Sequence, residues 1–236
     1  MLHNFKLIFY LVYFDLPMDC KISPQNALML DKICQTIKSQ YLLIDITDKL
    51  RIQMVSDSKN VICNISFTSS FFLTSSLQNI VFRINKPRFS FSKMLNLKIE
   101  SVPNFLIFIY EFDDYIYRHK YVIFNESVVD IPFNINKSDF IDPHLFYQVI
   151  CQTSGSAKIE FDDQFGIVSN ENISLKFQCP GFTGISFKFE TEIFKKILSI
   201  NDMFDSCLLN WEDDDSPVNI NFYGTTMSVF LFIATQ

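Results

Sequence analysis

The sequence predicts an α+β protein of two similar domains, each built from two strand–helix–three-strand units, with mainly antiparallel sheets and helices on one face. Three observations carry this expectation. The tetrapeptide Ile33-Cys34-Gln35-Thr36 recurs as Ile150-Cys151-Gln152-Thr153, an offset of 117 residues. Around both copies the helix-like and strand-like patterns come in the same order. A length of 236 residues, 48% of them hydrophobic, supplies core enough for two domains of roughly 100 residues each.

The elements follow in order. Pro24 opens a helix in which Leu28, Leu30, Ile33 and Ile37 recur at largely helical spacing. Strand-like runs come at 41–46, 50–55, 61–67 and 80–84, then a short helix at 87–95, then strands at 97–102, 105–112 and 115–124. In the second half Asp142 caps a helix and Pro143 takes its first position, with Leu145, Phe146, Val149 and Ile150 on the buried face. Strands are expected at 157–161, 165–169, 173–179 and 185–189, a helix at 191–200, and strands at 207–211, 218–222 and 228–233. Ile173, Leu175, Phe177 and Cys179 alternate with the period of two of a sheet with one buried face. These patterns place one domain at 18–125, a link at 126–137 and a second domain at 138–236. Val128, Val129, Ile131 and Phe133 stand in an otherwise polar link, which marks a docking surface.

Composition excludes several classes. No run reaches the ~18 apolar residues of a membrane helix, and the chain is too apolar for a disordered protein. There are 27 Phe but only 5 Gly, the first of them Gly155, so the first 154 residues hold no Gly-rich phosphate loop. That skew matches an AT-rich coding sequence. Residues 1–17 contain a short apolar run at 5–14. They read either as a dispensable extension ahead of Met18 or as a targeting signal; no small-residue cleavage site follows. The six cysteines are scattered without a C-x-x-C pair and have apolar neighbours, the pattern of buried free thiols with no metal.

No catalytic constellation emerges. Of the three histidines, His119 and His144 lack a nearby nucleophile arrangement, and His3 lies in the extension. The acidic runs at 212–215 and 160–163 read as solvated turns, and Trp211 as a core residue. No cofactor is implied.

Charge is uneven. Residues 1–125 hold 14 basic and 10 acidic side chains, whereas 126–236 hold 6 and 16. No acid occurs from 71 to 99, where Arg83, Lys86, Arg88, Lys93 and Lys98 gather, and Lys32, Lys38, Lys195 and Lys196 mark other helices. Basic charge focused on helices of an acidic protein reads, by itself, first as a solvated helix face and second as one polyanion-binding surface. The expected helix after Asp142 has no Lys or Arg, which is poor for such a surface.

The order of elements resembles the sliding-clamp family: PCNA and the heterotrimeric checkpoint clamp called nine-one-one. Particular stretches are similar to its Rad-nine subunit. These are Met18-Asp19-Cys20; Ser58-Lys59-Asn60-Val61 through Phe71-Phe72; Tyr117-Arg118-His119-Lys120-Tyr121 through Glu126; Ser216-Pro217-Val218; and Phe230-Leu231-Phe232-Ile233-Ala234-Thr235. The resemblance implies a non-catalytic, nuclear subunit that joins two other clamp subunits around double-stranded DNA without sequence specificity. It would meet a clamp loader and recruit repair and checkpoint proteins. Lys32, Lys38, Lys86, Arg88, Lys93, Lys195 and Lys196 would face DNA. Tyr117, Arg118, Lys120, Tyr121, Val122, Ile123 and Phe124 on one edge, and Ile173, Leu175 and Phe177 on the other, would join subunits. Val55, Val61, Ile131, Phe133, Pro217, Phe232 and Ala234 would form a pocket for partner peptides. A PCNA-like replication clamp is the nearest alternative. A secreted or membrane-associated β-rich interaction protein is the alternative of another class.

Overall fold

A computed structural model describes residues 19–46, 50–76, 81–127, 135, 137–162, 164–179, 184–213 and 216–234. The run at 5–14 lies outside them, and no described helix is long and apolar enough to cross a membrane.

The first half runs β1 (Asp19–Ile22), α1 (Pro24–Thr36), β2 (Tyr41–Asp45), β3 (Arg51–Val55), β4 (Val61–Phe67), β5 (Phe72–Ser76), β6 (Val81–Asn85), β7 (Asn96–Val102), β8 (Phe105–Glu111), β9 (Ile116–Val122) and β10 (Phe124–Asn125). The second half runs β11 (Lys137–Ile141), α2 (Pro143–Cys151), β12 (Ser156–Phe161), β13 (Phe165–Ser169), β14 (Ser174–Gln178), β15 (Ile185–Glu190), α3 (Thr191–Leu198), β16 (Ser206–Trp211), β17 (Val218–Tyr223) and β18 (Met227–Ile233).

The helix starts are chemically marked. Ser23 accepts a hydrogen bond from the Asn26 amide at 3.2 Å, with Pro24 in the first turn of α1. Asp142 accepts from the amides of His144 and Leu145 at 2.9 and 3.1 Å, with Pro143 in the first turn of α2. Thr191 instead ties the start of α3 to the distant turn between α2 and β12, donating to the Gly155 carbonyl at 2.9 Å.

Among the described residues all pairing is antiparallel, in three sheets ordered β5-β1-β7-β8-β9, β10-β6-β2-β3-β4-β18-β17-β16-β11 and β14-β13-β12-β15. Eight strands of each half match in order, while β5 and β10 of the first half have no counterpart among the described residues. The run β6-β2-β3-β4 corresponds to β15-β12-β13-β14, and β1-β7-β8-β9 to β11-β16-β17-β18. One hydrophobic cluster extends through both halves, from Leu30, Phe82 and Phe108 to Phe146, Phe194 and Phe222. It includes Cys20, Cys34, Cys63, Cys179 and Cys207, all free; Cys151 is exposed.

The helix expected at 87–95 is absent. The chain there is irregular and extended, closing in a turn at Ser92-Lys93. Phe89 is buried against Phe108 and Phe91 packs edge-on to Tyr110, so the inward side chains recur every second residue, a spacing no α-helix presents on one face. The buried carboxylate of Asp31 on α1 accepts the Phe89 amide at 2.8 Å, taking a donor that a helix would use internally.

Candidate functional site

The halves meet through β4 and β18, which pair over seven residues from Val61 opposite Ile233 to Phe67 opposite Met227. By the strand correspondence, β14 is the second-half counterpart of β4, and β9 is the first-half counterpart of β18. Among the described residues these two counterparts end their sheets, each with a partner on one side only. The chain thus carries one junction made internally and the two halves of the same junction left open.

Each open edge continues a core face outward. On β9, Tyr117, His119 and Tyr121 lie opposite Tyr110, Phe108 and Leu106 of β8. Tyr117 stacks on Tyr110 with centroids 5.4 Å apart, and His119 stacks on Tyr121 at 4.5 Å. The Tyr117 hydroxyl and His119 Nδ1 share a hydrogen bond of 2.9 Å. Burial pushes the phenol of Tyr121 up from its ordinary pKa. Arg118 and Lys120 occupy the opposite face, with Lys120 Nζ 5.8 Å above the Phe105 ring. On β14, Leu175 and Phe177 lie opposite Val168 and Gly166 of β13. The opposite face carries Lys176, whose Nζ sits 3.6 Å from the Phe165 ring centroid. Ile173 is exposed just before this strand.

The expected β9 edge is two residues too long. The Ile123 amide donates to the Asn104 carbonyl at 3.0 Å, and Phe124 crosses over to pair with Arg83 of β6. There the Arg83 guanidinium lies over Tyr41 and Phe124, at 4.7 and 5.4 Å, and bonds Glu126 at 2.9 Å. Ile123 and Phe124 therefore leave the edge, which keeps Tyr117, Arg118, Lys120, Tyr121 and Val122.

The helices bring some of the expected cations together and separate others. Lys32, Lys38 and Lys196 line one cleft of about 440 Å³ between α1 and the end of α3, together with Gln35, Ser199 and Asp202. Lys86 is committed elsewhere, donating to the Cys34 carbonyl at 3.2 Å near the end of α1. Arg88 folds back, with Nε donating to the Ser90 carbonyl at 2.9 Å and the guanidinium 4.5 Å above Phe91. Lys195 pairs with Glu192 at 2.9 Å, which holds that carboxyl below the usual range. Lys93 is exposed on its turn at φ 62°. Helix α2 carries no Lys or Arg.

The residues expected to form a peptide pocket are brought together only in part. Val55 lies opposite Ile62, and Ile62 opposite Phe232, so these three share the face of the long sheet opposite the core. Val61 is buried and points into the core; Ile62, which the sequence pattern did not single out, takes its place on the outer face. Strand alternation held the signal, since the residue after a buried one faces out. Pro217 is half-buried before β17, and Ala234 is exposed, its amide donating to the Asn60 carbonyl at 2.9 Å. Ile131 and Phe133 lie outside the described residues. Next to Phe232, buried Asn219 accepts from Asn210 at 2.6 Å.

Elsewhere, Asp162 accepts the amides of Gln164 and Phe165 in the turn after β12, whereas Glu160, expected in that turn, stands within β12 and pairs with Lys158. Trp211 packs partly buried against the core. Among the described residues no three His, Cys, Asp or Glu side chains gather as a metal site.

No protein-family model and no curated protein sequence matches the chain. Solved structures match in fold. Proliferating Cellular Nuclear Antigen from Entamoeba histolytica superposes with a TM-score of 0.72 at 10% identity, over 94% of this chain and 99% of that one. The PCNA2-PCNA3 complex from Sulfolobus tokodaii matches with a TM-score of 0.72 at 10% identity, over 93% of this chain and 99% of that one. The molecule has a PCNA-like fold: two similar α+β domains joined edge to edge. At 10% identity this likeness concerns architecture.

Proposed function

We propose that this protein is a non-catalytic subunit of a sliding clamp that closes around double-stranded DNA. The observation that carries the reading is the β4–β18 junction together with its open counterparts β14 and β9. A head-to-tail contact between unlike edges propagates from chain to chain and closes into a ring when the rotation permits. The cleft of Lys32, Lys38 and Lys196, with exposed Lys93, supplies mobile phosphate contacts. Closure replaces tight binding, so these contacts need no base readout.

The finer reading is a heterotrimer of the checkpoint nine-one-one kind, acting in the nucleus, loaded by a clamp loader and recruiting repair and checkpoint proteins. If β9 met β14 as β18 meets β4, Arg118 and Lys120 would share a face with Lys176. Like charges across paired strands disfavour self-assembly and favour a different partner chain. A PCNA-like replication clamp is equally compatible with the solved structures that the chain resembles. Co-purification separates the two. The checkpoint reading expects two further clamp-fold chains bound at moderate salt, and a homotrimer by light scattering at micromolar concentration would refute it.

A further inference from the structure

We infer that Ser90 is a phosphorylation site for an arginine-directed serine kinase. Such kinases grip an extended peptide and read positive charge ahead of the acceptor with acidic pockets. Three observations meet at this residue. Its segment is extended and irregular, although the corresponding segment of the second half is helix α3. Phe89 and Phe91 turn inward, against Phe108 and against Tyr110, which turns the intervening Ser90 outward, half-exposed. Arg88 stands two residues ahead, with Lys86 and Arg83 further upstream and no acid between 71 and 99.

The arginine is already placed. Its Nε donates to the carbonyl of Ser90 itself, and its guanidinium is stacked on Phe91. In the reaction the Ser90 Oγ attacks the γ-phosphorus of ATP, and the bond from that phosphorus to the β–γ bridging oxygen breaks. ADP leaves with that electron pair, and the hydroxyl proton passes to the kinase's carboxylate base. The product phosphate sits beside Arg88, where a charge-assisted hydrogen bond holds it. It places about −1.5 to −2 of charge on a loop that carries Lys86, Arg88 and Lys93.

The test treats the purified full chain with an arginine-directed kinase and magnesium ATP, then maps phosphate by peptide mass spectrometry. One phosphate is expected, on Ser90. Ser90→Ala should abolish incorporation, Ser92→Ala should leave it unchanged, and Arg88→Ala should slow it by about tenfold in a chain whose circular dichroism is unaltered. Because Arg88→Ala also removes the packing on Phe91, Arg88→Lys serves as a folded intermediate that should be slowed less. Phosphate on Ser92 instead of Ser90, no phosphate at all, or unchanged incorporation in Arg88→Ala would each overturn the inference. None of these readouts depends on DNA binding.

Discussion

The ring of Phe177 lies across Gly166. A Cβ built on that glycine would come within 2.2 Å of the Phe177 Cζ, closer than any real contact. The two residues face each other on β13 and β14, so the position of the open β14 edge depends on the missing side chain. Gly166→Ala should push the ring aside and destabilise the fold by about 1–3 kcal/mol. Urea unfolding measures it. Adding Phe177→Leu should recover part of the loss, because the smaller side chain leaves room; if the double variant is no better than Gly166→Ala alone, overlap with the ring is not the cause.

The cations divide into those available to a polyanion and those already engaged. Lys32→Ala, Lys38→Ala and Lys196→Ala should each flatten the salt dependence of duplex-DNA binding by the assembled complex, lowering the log–log slope by about 0.9 for each phosphate no longer neutralised. Lys86→Ala should leave that slope nearly unchanged and weaken the end of α1 instead, since its ammonium group bonds the Cys34 carbonyl. Fluorescence anisotropy across a salt series distinguishes these outcomes. Equal slopes in all four variants would remove the cleft from the binding surface.

The buried thiols set an alkaline limit. Burial pushes Cys20 and Cys207 up to about 12 and raises Cys34 and Cys63 as well. In the unfolded chain these groups ionise near the ordinary thiol value of about 8.5. Their contribution to stability is therefore fully present below that value and is lost as pH rises toward about 12. Thermal melts should show a falling midpoint across that window. Alkylation of the native protein at mildly alkaline pH should label Cys151 alone; rapid labelling of Cys63 would contradict its burial.

Much of this architecture is legible in the chain itself. The repeated Ile-Cys-Gln-Thr motif marks the ends of α1 and α2, and period-two alternation locates β4 and β13 to the residue. What escapes has physical causes. The place of 87–95 in the repeat predicts a helix. Its own alternation of Phe89 and Phe91 points to extended chain, and the decisive partner, Asp31, is 58 residues away. Strand β5, rich in Ser and Thr, is held by pairing with β1, and β11 by pairing with β16; neither shows in local composition. The site follows the same rule. Strand identity places the β9 and β14 edges, but only three-dimensional contacts show that Phe124 belongs to Arg83, or that Lys86 and Lys195 are engaged. The neighbour proposed for each edge lies outside the chain and leaves no periodic trace in it.

The central claim is that β9 and β14 are the open halves of the junction that β4 and β18 already make. Amide hydrogen exchange tests this most directly, comparing the isolated chain with the chain in its purified assembly. The outward-facing amides of Ile116–Val122 and Ser174–Gln178 should exchange quickly in the isolated chain and become protected on assembly, while those of Val61–Phe67 and Met227–Ile233 stay protected in both. An assembly that forms while both open edges keep exchanging at their isolated rate would contradict the account.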